Sequence, residues 1–74
     1  MTITNHAIAR FQERITFENK EVIRSFIIND ITKSILKYCI NNKEKRCTNG
    51  VIYIVEVSDS SNPVVLTLYL EEEI

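Results

Sequence analysis

Three basic or potentially basic side chains recur at four-residue intervals near the start of the chain: His6, Arg10 and Arg14. On a helix, positions i, i+4 and i+8 form one stripe. A guanidinium offers forked donors that match phosphate oxygens. An imidazole exchanges protons near neutral pH and can serve as general acid or base. The stripe is therefore a candidate phosphate cradle with its own proton carrier. The same residues also fit a solvated helix face on which Glu13 pairs with Arg10 at i, i+3.

Other chemistry-bearing residues are more scattered. Lys43-Glu44-Lys45-Arg46 is a short basic run, and Lys45 and Arg46 join Arg10 and Arg14 as candidate phosphate or nucleic-acid contacts. Tyr53 and Tyr69 fall in apolar segments. There they either stack bases, as single-strand binders do, or pack across strands. Residues 71–74 read as a frayed, solubilising acidic end, or Glu71-Glu72-Glu73 mimics a phosphate strand or docks on a basic partner. Cys39 and Cys47 are the only cysteines. Without CxxC spacing or enough further ligands, they read as reduced core or interface thiols, with a regulatory or intermolecular disulfide as the lesser alternative, and no metal site or cofactor is expected. Phosphate loops, HExxH and calcium loops are missing from the sequence.

These residues need elements to hold them. The first helix is expected over about residues 5–15, capped by Thr4 or Asn5, with Ile8, Phe11 and Ile15 on its apolar side. A second helix is expected over about 19–41. Its stripe Val22, Ile23, Phe26 and Ile27 rotates to Ile31, Ile35, Tyr38 and Cys39, which allows a kink near Asn29-Asp30. Asn41-Asn42 is a plausible stop, because Asn tolerates the left-handed conformation. Asn49-Gly50 is a strong hairpin signal. Residues 51–57 and 64–70 are rich in β-branched and aromatic types, and the turn cluster Ser58–Pro63 separates them. The expected fold is α+β and a single domain, 1–74. Its two N-terminal helices pack on a three-stranded antiparallel meander of about 44–48, 51–57 and 64–70.

Strict alternation makes both faces of that meander apolar. Val51, Tyr53, Val55 and Val57 lie on one side and Ile52 and Ile54 on the other. Either each helix covers one face, or one face stays open and marks an interface. The candidate interface is Ile52, Ile54, Val65, Thr67 and Tyr69. A short edge strand carrying Lys45 and Arg46 would guard against unwanted pairing.

Composition limits the partners. Nine Lys and Arg against ten Asp and Glu leave a formal charge of −1, so no global field draws the chain to nucleic acid or an anionic membrane. No apolar run is long enough to span a bilayer, and the first residues lack the pattern of a secretory signal. A cytoplasmic protein is expected. Much Ile and Asn with one Gly and one Pro is the residue usage of an A/T-rich genome, such as a low-GC bacterium, its phage or a mobile element.

The run His6-Ala7-Ile8-Ala9-Arg10-Phe11-Gln12-Glu13-Arg14, with helix and then strands behind it, resembles small RelE-like toxin-related proteins of the barnase–EndoU–colicin–RelE set. The resemblance implies helices preceding an antiparallel sheet and an active site on the sheet beside the first helix. It implies metal-independent endoribonuclease activity with His6, Arg10 and Arg14 as motif positions. Arg46, Tyr53, Thr67 and Tyr69 are then strand candidates, Tyr69 foremost. Such cleavage needs a base for the 2′-hydroxyl, an acid for the leaving oxygen and cations for the phosphorane.

Two functions are therefore expected. The first is a non-catalytic interaction protein, a homodimer or an inhibitor of a host or phage protein, acting through its sheet face or edge. The second is a ribonuclease, with RNA as its partner.

Overall fold

Thr4 begins the architecture by doing three things at once. Its hydroxyl oxygen accepts the Ala7 N–H at 3.0 Å and caps the first helix. The same hydroxyl donates to the Leu66 carbonyl at 2.8 Å, and its backbone N–H donates to Val65 at 3.1 Å. The start of the chain is thereby stitched to its last strand. The computed structural model describes residues 1–73. In chain order it runs β1 (Thr2–Ile3), α1 (Asn5–Arg14), α2 (Lys20–Lys33), β2 (Ile35–Ile40), β3 (Lys43–Thr48), β4 (Val51–Glu56) and β5 (Val64–Leu70). A short 3-10 turn, Glu71–Glu73, follows.

The α+β class fits, but the meander does not. The sheet has five strands in the order β1-β5-β4-β3-β2, and β1 runs parallel to β5. Two strands were hidden from the sequence. One is the two-residue β1, too short for any pattern to reveal. The other is β2, which replaces the C-terminal part of the expected 19–41 helix. That helix is unbroken through Asn29-Asp30 and ends at Lys33, where Ser34 turns extended (φ −70°, ψ 157°). The Ser34 N–H and hydroxyl both close on the Ile31 carbonyl. Asn41 and Asn42 then take φ of 52° and 62°, forming a tight hairpin turn rather than a helix stop. Asn49 and Gly50 repeat the device at 49° and 78° and join β3 to β4 as expected.

Both helices lie on one side of the sheet. Ala7, Ile8 and Phe11 of α1 and Ile23, Ile27 and Ile31 of α2 share one buried cluster with Val51, Tyr53, Val55, Val65 and Leu68. Burying one such side chain is worth about 1.5–3 kcal/mol before chain entropy is charged against it. Helices pack about 8–10 Å apart and strands about 4.8 Å, so two helices shelter about four strands. With α1 over β5 and α2 reaching β3, the far strand β2 overhangs, and all six of its residues are exposed.

A bulge decides which side chains reach the core. Pairing between β4 and β5 slips between Ile54↔Thr67 and Val55↔Val65, leaving Leu66 as an extra residue. Val65 therefore joins the helix side, fully buried, while Thr67 and Tyr69 stay on the open side. Strict alternation had grouped the three. The acidic end is also more ordered than a frayed terminus. Glu73 accepts from the Leu70 N–H at 2.8 Å and pairs with Arg14 at 3.0 Å. Ile74, the end of that expected frayed segment, lies outside the described residues.

Candidate functional site

The arginine stripe of α1 lies along the edge of β5. Beyond Val65 that edge has no neighbouring strand among the described residues, and its backbone groups need other partners. Side chains supply them. Thr4 serves Leu66, Arg10 Nε donates to the Leu68 carbonyl at 3.3 Å, and Glu73 serves the Leu70 amide. Arg14 braces Glu73 from the helix. The expected Glu13–Arg10 pair is not among the ion pairs of the described residues. His6 is exposed at the start of α1.

The remaining candidates lie elsewhere. Tyr69 projects from the sheet face opposite the helices, as its pairing with Ile52 requires. Lys45 and Arg46 sit on β3, two strands from β5 and so about 10 Å across the sheet. Being adjacent in a strand, they point to opposite faces. Arg46 donates to Glu44 at 2.9 Å and to the Ser34 hydroxyl at 3.1 Å on the helix side. The Lys45 ammonium lies 5.4 Å from the Tyr38 ring centre on the open side. Arg10, Arg14, Lys45 and Arg46 thus each have a partner within the chain and do not merge into one basic patch. No hydrogen bond or ion pair among the described residues links His6, Arg10, Arg14 and Tyr69 to one another.

Tyr53, a strand candidate, is fully buried on the helix side, and its hydroxyl donates to the Asp30 carboxylate. Burial first, and then the hydrogen bond and negative charge of Asp30, push its phenol far above the ordinary range. It is a core residue with a satisfied polar end.

The open face is organised in three rungs that the pairing registers define. They are Tyr69–Ile52–Cys47–Ile35, Thr67–Ile54–Lys45–Tyr38 and Val64–Glu56–Lys43–Ile40. Ile52 is only 3% exposed although it stands outside the main core cluster, so its rung neighbours cover it. Exposed apolar surface is concentrated instead on β2, which the sequence reading missed. Ile35 is 65% exposed, Ile40 60%, Tyr38 50% and Leu36 44%. The usable signal was the β-branched and aromatic run directly before Asn41-Asn42. Its coincidence with helical spacing from Ile31 concealed it.

Two concavities mark the surface of the described residues. One, between α1, α2 and the β3–β4 turn, is lined by Phe11, Ile15, Phe26, Asp30, Asn49 and Val51 among others. The other is lined by Asn49, Gly50, Leu70, Glu71 and Glu72. Neither holds His6, Arg10, Arg14 or Tyr69. Among the described residues no group of three or more His, Cys, Asp or Glu side chains is gathered as a metal site requires. Among the described residues no helix is long and apolar enough to cross a membrane. No protein-family model, curated protein or solved structure matches the chain.

Proposed function

We propose that this chain is a non-catalytic association protein whose partner adds a strand to β2. One observation carries the reading. β2 is a terminal strand exposed along its whole length with four large apolar side chains, whereas the opposite edge is sealed by Thr4, Arg10 and Glu73. An exposed apolar edge is a template for another strand. The occupant that fits is a partner protein's extended segment with apolar residues flanking one acidic residue. Lys37 is the only charge on β2, and it sits at the bulge between Leu36 and Tyr38. β2 has no acid of its own to oppose Lys37, so a second copy is the poorer occupant. The bulge disfavours indiscriminate flat pairing. Free thiols at Cys39 and Cys47 suit a reducing compartment such as the cytoplasm.

The test is capture from the native host, with light scattering for self-association, on wild type and two variants. Ile40→Lys on β2 should weaken association by about tenfold or more, and Tyr69→Ala on the open face should leave it intact. Association that survives Ile40→Lys overturns the edge, and lack of any association overturns the function. A dimer lost in Ile40→Lys would replace the foreign strand with a second copy.

The ribonuclease remains as a second reading because α1, carrying His6, Arg10 and Arg14, packs beside β5 of the sheet. It requires that expression arrest growth and that His6→Ala relieve the arrest. Harmless expression of the intact chain removes it.

A further inference from the structure

We infer that the cleft between α1, α2 and the β3–β4 turn is a binding site for a small organic cation, an ammonium carried on an aromatic body. The inference is independent of β2. The apolar walls are Phe11, Phe26 and Ile15, with Val51 beneath. The two phenyl rings lie 6.0 Å apart at 31°, tilted rather than stacked flat. Phe26 and Ile15 are exposed large apolar residues on this wall.

The polar rim gives the ligand its sign. Asp30, Asn29 and Asn49 line the cleft, and among the described residues no basic side chain does. The Tyr53 hydroxyl donates to one Asp30 oxygen, Oδ2. The other oxygen, Oδ1, has no hydrogen-bond partner, and Asp30 makes no ion pair, among the described residues. A carboxylate beside apolar walls and without a countercharge favours a cation. An ammonium has three donors and no acceptor. Asp30 Oδ1 and the amide oxygens of Asn29 and Asn49 are acceptors of the right kind. A divalent metal ion fits poorly, since it takes six or more oxygens and the cleft provides one carboxylate among phenyl rings. An anion would face Asp30. Pockets of mainly apolar lining with a few convergent polar groups are the usual form of small-molecule sites.

The experiment titrates the intact chain at neutral pH with phenethylammonium, phenethyl alcohol and phenylacetate, following backbone amide shifts by NMR. Phenethylammonium should bind at roughly millimolar strength and shift the amides of Phe26, Asp30 and Val51. The alcohol should bind about tenfold more weakly and the carboxylate not at all. Asp30→Asn retains an oxygen for the Tyr53 hydroxyl and should reduce the ammonium to the level of the alcohol. Phe26→Ala, at an exposed position, should weaken both. Equal binding of ammonium and alcohol, a cation preference that survives Asp30→Asn, or shifts confined to other residues would overturn the inference.

Discussion

Arg10 and Leu68, fifty-eight residues apart, meet where the Arg10 Nε donates to the Leu68 carbonyl at 3.3 Å. The contact replaces a strand that β1 is too short to provide. It turns a side chain with the features of a phosphate ligand into an edge seal. Arg10→Ala leaves that carbonyl without its protein partner and should cost about 1 kcal/mol. The melting temperature should fall by about 4–8 °C. Thermal denaturation of the two proteins checks this. An unchanged melting temperature would mean that Arg10 is free for another role.

Tyr53 predicts an alkaline limb in stability. Its folded phenol is held well above the ordinary value, by burial first and by Asp30 second. Above pH about 10 the unfolded chain releases this proton and the folded chain keeps it. The folded state then binds more protons, so stability falls as pH rises, by up to about 1.4 kcal/mol per pH unit from this group. Below that pH the contribution is fully present. Tyr53→Phe should remove this part of the alkaline slope while Tyr38 and Tyr69 titrate in both proteins. It should also cost about 1–3 kcal/mol at neutral pH, because Asp30 loses its donor. Denaturant unfolding between pH 7 and 11 measures both effects.

Much of the architecture was legible where one local signal was strong. Asn49-Gly50 fixes its hairpin because both residues accept positive φ, and the cap at Thr4, one of the two residues expected to supply it, follows from its side-chain oxygen. β2 was illegible because Ile31, Ile35, Tyr38 and Cys39 are spaced as a helix would space them, while the deciding interaction is pairing with β3. The arginine stripe was legible as a stripe. Its role was not, since the free edge of β5 is a tertiary fact. Val65 was misplaced for a similar reason. The Leu66 bulge, whose carbonyl Thr4 holds from sixty-two residues away, leaves no mark in the alternation.

That bulge gives a direct test of side-chain parity. Val65 is fully buried against Val55 and the helices, whereas Thr67 is half-buried on the open face beside Ile54. Val65→Ala should cost about 2 kcal/mol, from lost transfer energy and a residual cavity. Thr67→Ala should stay within about 0.5 kcal/mol. Without the bulge the two residues would share a face, and the costs would be alike. Paired urea titrations separate these outcomes.

The β2–β3 turn separates the hairpin from the helix that residues 35–41 otherwise imitate. Asn41 and Asn42 both occupy the left-handed region, and the Asn42 carbonyl accepts the Val57 N–H at 2.8 Å, fastening the turn to the end of β4. A β-branched residue is strained there, so Asn42→Val should cost about 1–2 kcal/mol. Asn42→Gly converts the pair to the preferred Asn-Gly of a two-residue hairpin and should be neutral or stabilising by up to about 0.5 kcal/mol. A helix ending near Asn41 would tolerate Val beyond its last turn, giving the two variants equal stability. Chemical denaturation of both, with amide exchange across Ile35–Ile40, decides the matter. Only the hairpin predicts that Asn42→Val speeds exchange on β2 while α2 through Ile31 stays protected.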